Sequence, residues 1–190
     1  MSGATSESTA AGFKWGTSAT SLNSTRTATA GGASFSAALT GLTPATTYYY
    51  QAYATVHGTE DHASETATFY GDVNSFTTQD YSATVTTGSA SNVTSSGAVI
   101  TASYSGANAQ PKETRIVYGT SASSLTNTAY YNDGGLSAPS GSYSVSLSSL
   151  APNTTYYYKA VIQVGTKDFA GSVMSFKTAE QPSYTASGWL

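Results

Sequence analysis

One stretch of this sequence occurs twice, and it constrains the fold more than any other feature. Residues 42–52 read Leu-Thr-Pro-Ala-Thr-Thr-Tyr-Tyr-Tyr-Gln-Ala, and residues 150–160 read Leu-Ala-Pro-Asn-Thr-Thr-Tyr-Tyr-Tyr-Lys-Ala. In each copy a proline turn leads into a run of β-branched and aromatic residues, which is typical of a chain that turns a corner and enters a central β-strand. The repeat predicts two β-sandwiches, and 190 residues suit two domains of the usual size, roughly 50 to 200 residues.

Other segments also match between the two copies. The matching ranges are 13–22 with 116–125, 35–39 with 143–147, and 71–78 with 171–178. In the second copy Tyr143, Val145 and Leu147 alternate with serines, which predicts a strand with one buried face. Upstream of that strand, residues 83–87 and 98–104 predict two more strands. The second copy therefore has the strands of a complete small sandwich.

Composition narrows the classes of partner. Only 9% of the residues are charged and the net charge is −3, so the chain offers no basic surface and we expect no nucleic-acid partner. No apolar run approaches the roughly 20 residues of a membrane helix, so we expect no membrane insertion. Cysteine is absent, so the sandwiches must be stable through their cores alone, without disulfides.

The repeated motifs resemble those of tandem fibronectin type III domains in bacterial secreted and cell-surface proteins. The residues that carry the resemblance are Leu42, Pro44, Thr46 and Tyr48 in the first copy and Leu150, Pro152, Thr154 and Tyr156 in the second. The resemblance implies an all-β fold with two immunoglobulin-like β-sandwiches in tandem. It also implies a tyrosine corner in each domain, where Tyr48 and Tyr156 bury their rings and hydrogen-bond to the backbone.

The first domain is expected to be incomplete. We assign 1–79 to the first domain, 80–178 to the second and 179–190 to a linker or tail. Strands A and B of the second domain have no counterpart in the first, because only twelve residues precede Phe13 and they lack apolar alternation. Three explanations stay open: the missing strands lie upstream in a longer protein, the first domain is a reduced sandwich shielded by the second, or another molecule supplies strands by β-augmentation.

The vacancy left by these two strands should not stay open. We expect Phe13, Trp15, Phe35 and Tyr50 to lack cover on one side, which is costly in water. The cover is expected to come from residues 1–11, from the tail around Tyr184 and Trp189, or from another copy of the chain.

The densest polar cluster lies in the long loop between strands F and G of the first domain. It contains His57, Glu60, Asp61, His62 and Glu65, whose imidazoles and carboxylates are ligand types for a divalent cation. Nothing in the spacing imposes a geometry on them, so a solvated loop without metal is the preferred interpretation. No cysteine nucleophile and no Gly-x-Ser-x-Gly motif are present, and we expect neither catalysis nor a cofactor.

Aromatic residues supply the remaining candidates for binding. Tyr49 and Tyr157 alternate away from the buried tyrosines; exposed tyrosines can stack on sugars, although ordinary cross-strand packing is commoner. In the tail, Tyr184, Trp189 and Leu190 are candidates for contact with a partner, because a tryptophan is costly to leave in water.

Taken with the resemblance, these features predict a non-catalytic structural, spacer or interaction module that is extracellular or at the cell surface, with any signal peptide outside this chain. The alternatives are a self-assembling surface subunit completed by a strand from a neighbouring copy, and accessory modules of a larger secreted enzyme such as a nuclease or a glycan-active protein. The expected partner is a protein or further copies of the chain, with carbohydrate as an alternative.

Overall fold

The computed structural model describes residues 8–31, 34–57, 65–131 and 136–183, and these residues form β-strands joined by turns and loops. The chain divides into two compact units, Met1–Asp80 and Tyr81–Leu190. The strands of the first unit are β1 (Ser8–Gly16), β2 (Ser24–Thr27), β3 (Thr29–Gly31), β4 (Ser34–Ser36), β5 (Thr47–His57) and β6 (Thr66–Thr77). Those of the second are β7 (Thr84–Ser91), β8 (Ala98–Ser105), β9 (Pro111–Gly119), β10 (Asn127–Tyr130), β11 (Gly141–Leu147), β12 (Thr155–Val164), β13 (Lys167–Ala170) and β14 (Met174–Lys177).

The second unit is a complete sandwich of two antiparallel sheets. One sheet has the order β10-β9-β12, with β13 and β14 both paired to β12, and the other has the order β11-β8-β7. Inward-facing residues of both sheets alternate with polar ones and meet in a single core. The largest side chains that are completely buried there are those of Ile100, Ile116, Tyr158, Ile162 and Val164.

The first unit keeps one of these sheets and only part of the other. Its main sheet has the antiparallel order β2-β1-β5-β6, and β3 pairs with β4 in a short second sheet. Strand β1 matches β9, and β5 matches β12, with the same pairing of neighbours. Among the described residues nothing in the first unit corresponds to β7 and β8. The predicted fold class is confirmed: the fold is all β, with two immunoglobulin-like sandwiches following one another along the chain, and the described residues of the first include no strand A or B.

The N-terminal residues that the structure describes do not cover the vacancy. Ser8, Ala10 and Ala11 belong to β1, where they pair with residues 54–56 of β5 and lengthen the main sheet. Residues 1–11 have no apolar alternation, and the sequence predicts at most one weak strand there. Strand pairing with the long β5 orders residues 8–11 instead. Residues 1–7 lie outside the described part of the chain.

Each unit has a hydrogen-bonded corner before its central strand. The Ala151 N–H donates to the Tyr156 hydroxyl at 3.0 Å, and the Thr43 N–H donates to the Tyr48 hydroxyl at 3.0 Å. Both rings are buried, Tyr156 at 7% exposure and Tyr48 at 5%. The proline turn is thereby fixed to the sheet that follows it.

A threonine from the last strand also contributes to the corner. Thr178 donates to the Ala151 carbonyl at 2.7 Å and accepts from the Thr154 N–H at 2.9 Å. Thr78 makes the equivalent bonds in the first unit, to the Thr43 carbonyl at 2.6 Å and from the Thr46 N–H at 3.0 Å. One hydroxyl therefore links the turn, the start of the central strand and the end of the final strand.

The corner predicts different effects for two neighbouring tyrosines. Tyr156→Phe removes the acceptor of the Ala151 N–H and should lower the unfolding free energy by about 1 kcal/mol or more. Tyr157→Phe is the matched control, because that side chain is half-buried and its hydroxyl has no hydrogen-bond partner among the described residues. Urea denaturation of both variants checks this, and equal losses would contradict the geometry of the corner.

The core of the second unit contains a tyrosine that is costly to ionise. Tyr143 is 5% exposed, and its hydroxyl lies 3.2 Å from the Val161 carbonyl and 3.3 Å from the Arg115 carbonyl. Burial raises the pKa of Tyr143 to about 12, and the charge of Arg115 opposes this rise to a smaller extent. Burial also raises the pKa values of Tyr104 and Tyr158.

Stability of the second unit should therefore fall at alkaline pH. The folded state keeps the Tyr143 proton while the unfolded chain loses it near the usual pKa of 10.0, so the unfolded state binds fewer protons and is favoured as pH rises from 10 to about 12. Tyr143→Phe should flatten this slope without abolishing it, because Tyr104 and Tyr158 still titrate. Urea midpoints at about pH 8 and about pH 11 test the difference. An identical loss in the variant would show that Tyr143 does not contribute.

Candidate functional site

The residues that the sequence predicted for metal binding are not brought together by the described structure. His57 ends β5 and Glu65 precedes β6, and both are exposed. Glu60, Asp61 and His62 lie outside the described residues, as do the tail candidates Tyr184, Trp189 and Leu190. Within the described ranges no group of three or more histidine, cysteine, aspartate or glutamate side chains is placed to hold a metal ion.

The predicted outward tyrosines are less exposed than the alternation suggested. Tyr49 and Tyr157 are both half-buried. Tyr131 packs against Tyr143 with their ring centroids 5.8 Å apart, so it belongs to the core of the second unit. Tyr130 is 52% exposed and has no aromatic neighbour among the described residues. No platform of parallel exposed rings for a sugar is formed by these four side chains.

An apolar cleft lies on the inner face of the main sheet of the first unit. Its volume is about 330 Å³, and the residues that line it are Phe13, Ala37, Leu39, Leu42, Tyr50 and Phe76. The side chains of Phe13 and Tyr50 were expected to lie uncovered, and the structure places both in this cleft. Phe35 lines a separate depression instead, and Trp15 packs edge-on against Tyr48 at a centroid distance of 5.6 Å.

Every residue of this cleft has a counterpart in the core of the second unit. The counterparts are Ile116, Val145, Leu147, Leu150, Tyr158 and Phe176. The first five are between 0% and 6% exposed, and Phe176 packs against the same core. Residues of β8, including Ile100 and Tyr104, complete that core from the facing sheet. The cleft of the first unit is therefore a core whose cover is missing among the described residues.

Contacts between aromatic rings hold the walls of the cleft in place. Phe13 lies 5.4 Å from Phe35 and 6.2 Å from Tyr50, measured between ring centroids. Phe76 lies 5.9 Å from Tyr48, in a stacked arrangement, and 6.0 Å from Tyr50. Each ring is carried by a paired strand, so these contacts connect the aromatic residues of the cleft to one another across neighbouring strands.

A second depression lies beside the glycine of β6. It has a volume of about 230 Å³ and is lined in part by Phe35, Ala52, Phe69 and Gly71. Its counterpart in the second unit contains Ala160, which is 0% exposed, and Gly171. Phe69 is 63% exposed, whereas the matching Phe169 packs against the core of the second unit. Here too the first unit exposes what the second unit buries.

Strand β6 forms a long exposed edge next to both depressions. It is 12 residues long, it pairs only with β5 among the described strands, and all of its residues are exposed. Its apolar side chains Phe69, Tyr70, Val73 and Phe76 are 63%, 50%, 42% and 37% exposed. In the second unit the same region is divided into the short strands β13 and β14, which β7 contacts. A long exposed edge strand that carries apolar side chains is a site where another strand can pair.

A polar groove on the other unit has the properties of an ordinary outer sheet face. It measures about 400 Å³ on the five-stranded sheet, and Arg115, Lys159 and Asp168 are among its lining residues. Arg115 forms ion pairs with Glu113 and with Asp168. Its Nη2 lies 2.5 Å from the Asp168 Oδ2, and the two carboxylates compensate its charge. We assign no site to this groove.

Comparison with known proteins yields structural neighbours of low similarity. No protein-family model matches the chain, and no curated protein matches it. The sensor domain of the anti-sigma factor RsgI4 from Pseudobacteroides cellulosolvens superposes with a TM-score of 0.43 at 21% identity, covering 57% of this chain and 100% of that one. The FN1–FN3 domains of chicken CNTN1 give a TM-score of 0.40 at 18% identity, covering 90% of this chain and 53% of that one.

At such low similarity, the fold of this chain is established by its own strands and core. Among the described residues, no helix has the length and apolar character needed to cross a membrane.

Sequence reasoning identified only part of this site. Phe13 and Tyr50 were recognised, but Ala37, Leu39 and Phe76 were not, and neither was Gly71. The signal was present in the repeat, because each of these residues aligns with a core position or with a glycine of the complete copy. A systematic comparison of the two copies, position by position, would have found the full set.

Proposed function

We propose that the chain is a non-catalytic interaction module that acts outside the cell or at its surface, where the first unit binds a protein partner and the second unit serves as a stable spacer. The observation that carries this proposal is the open core face of the first unit. The cleft of about 330 Å³ and the depression of about 230 Å³ are both bounded mainly by apolar side chains. Apolar concave surfaces of this kind are suited to protein partners.

Burial of the open apolar face would stabilise a complex with a partner. Apolar surface removed from water stabilises a complex by about 25 cal/mol per Å², so covering a few hundred Å² contributes several kcal/mol before the costs of association. The cleft walls are held by ring contacts, so little ordering of the first unit is needed on binding. A protein surface fits these requirements better than a sugar, because the described lining offers few polar groups.

The location is inferred from the sequence resemblance and from composition. Threonine, serine and alanine dominate, charge is sparse, and the repeated motifs resemble those of secreted and surface modules. The same role would apply if the two units are accessory modules of a larger secreted protein.

Antibodies against the purified chain test this location. We expect them to label intact, unpermeabilised cells of the source organism or to detect the protein in the culture medium. A cytoplasmic protein detected in the same samples serves as the control for lysis. Labelling that appears only after permeabilisation would overturn the extracellular assignment.

A second candidate function is self-assembly, and the edge strand β6 favours it. All 12 of its residues are exposed, and it is free of the charged side chains, other than Asp72, that commonly protect such edges. Two copies could pair through their β6 strands, since an antiparallel edge can add to its own copy. The product would be a dimer or, with a further contact, a filament.

Light scattering on the purified chain separates the two functions. Partner binding predicts a monomer over a wide concentration range, whereas self-assembly predicts a mass that grows with concentration. Val73→Lys, on the exposed edge of β6, should return an assembled chain to monomers. Val173→Lys is the matched control, because Val173 occupies the aligned position in the second unit and is 45% exposed. A monomer at all concentrations would exclude self-assembly through β6.

A further inference from the structure

We propose that the open face of the first unit is the docking site for an antiparallel β-hairpin carried by a separate partner protein, with small, β-branched and aromatic residues alternating along its inner face. This inference rests on the proposed function and specifies the kind of partner. One strand of the hairpin occupies the apolar cleft, and the other lies across Ala52 and Gly71. The hairpin thereby takes the place of the two strands that have no counterpart among the described residues of the first unit.

The second unit shows what such a hairpin looks like. There β7 and β8 pair with each other, and β8 pairs with β11 in the register Val145 to Ile100 and Leu147 to Ala98. The residues that β8 turns inward are Ala98, Ile100, Ala102 and Tyr104, with exposures between 0% and 4%. The first unit presents Ala37 and Leu39 at the positions of Val145 and Leu147, so an incoming strand finds the equivalent apolar surface.

A glycine in the first unit is matched to the second strand of the hairpin. A Cβ atom on Gly171 would lie 2.6 Å from the Thr87 nitrogen and 3.1 Å from the Val85 carbonyl oxygen, so the close approach of β7 requires glycine there. A Cβ atom on the aligned Gly71 would meet only Ala52, at 3.8 Å and beyond. No described residue comes close enough to position 71 to require a glycine there. The glycine nevertheless leaves the space that a second strand would need.

Hydrogen-bonding groups beside Gly71 are also matched to that strand. In the second unit the Tyr158 hydroxyl donates to the Gly88 carbonyl at 3.0 Å, and the Ala160 N–H donates to the Thr87 hydroxyl at 3.1 Å. Both acceptors belong to β7. The aligned Tyr50 hydroxyl has no hydrogen-bond partner among the described residues of the first unit. An incoming strand supplies a carbonyl at this place and pairs the hydroxyl.

The remaining sources of a hairpin fit less well. Strands β7 and β8 have eight residues each, and the internal stretches outside the described residues, 32–33, 58–64 and 132–135, are each shorter than one such strand. A second copy could donate β7 and β8 only by uncovering its own core, which exchanges one open face for another. A hairpin from a different polypeptide carries no such cost.

The direct test uses a hairpin peptide and the full chain. The probe is a fluorescein-labelled peptide with the sequence of residues 82–106, and its binding is followed by fluorescence anisotropy. We expect saturable one-to-one binding. The same peptide with Ile100→Asp should not bind, because a carboxylate would enter the apolar cleft.

Variants of the chain place the peptide on the proposed face. Gly71→Val should weaken binding about tenfold or more, since its side chain occupies the space of the second strand. The fold should tolerate this change, because β6 is exposed and valine suits a strand; a melting curve like that of the wild type verifies it. Thr66→Val, on the same strand but outside both depressions, is the matched control and should bind as the wild type does.

A fusion protein tests the same contact if the free peptide aggregates. Residues 82–106 are fused ahead of Met1 through a flexible glycine-serine linker. The fused hairpin should raise the melting temperature of the first unit, and Gly71→Val in the same fusion should remove most of the gain.

The possible outcomes separate this inference from the function on which it rests. Equal binding to the wild type and to Gly71→Val, or no stabilisation by the fusion, overturns the hairpin. A dimeric mass together with no peptide binding assigns the face to a second copy and also overturns it. Absence of surface labelling in cells would instead refute the extracellular function, whatever the peptide does.

Discussion

Burial of one apolar sheet face against another is the constraint on which this protein depends. The chain has no disulfides and few charges, so the interlocking of two sheets supplies the stability of each unit. In the second unit this requirement is fully met, and residues such as Ile100, Ile116 and Tyr158 are inaccessible to solvent. In the first unit the same kind of sheet is built, but the described residues leave its inner face partly uncovered. The two units therefore share the same main sheet and differ in how much of the facing sheet the described residues form.

The corner before each central strand explains how the incomplete unit can still have a defined shape. Tyr48 and Thr78 fix the proline turn to the strands on either side, as Tyr156 and Thr178 do in the complete unit. These bonds connect the turn to β5 and β6 and do not involve the missing strands. Stacking of Phe76 on Tyr48 then extends the ordered region from the corner to the floor of the cleft. The corner and this stacking thereby fix the position of Phe76 in the lining of the cleft.

Comparison of the two copies gives functional meaning to single residues. Gly171 is required by the backbone of β7, whereas Gly71 is not required by any contact that the structure describes. Tyr158 bonds to β7, whereas the aligned Tyr50 hydroxyl has no such acceptor in its own unit. Each difference concerns the same missing element. Together, the open space beside Gly71 and the hydroxyl of Tyr50 indicate where a further strand would lie. This argument does not depend on the volume of the cleft.

The sequence by itself determined the strands, the repeat and the corners, because these depend on local features: period-two alternation, a proline turn, and a tyrosine at a set distance from a leucine. Alignment of one copy with the other also predicted that strands A and B have no counterpart in the first copy, and the described residues contain none. Only the tertiary structure decided that residues 8–11 lengthen β1, that Trp15 packs away from the cleft, and that Leu39 and Phe76 form its walls. Those outcomes depend on pairing between strands distant in sequence, which fixes register and hence the direction of every side chain. The position of Gly71 beside an open surface follows from the same long-range pairing.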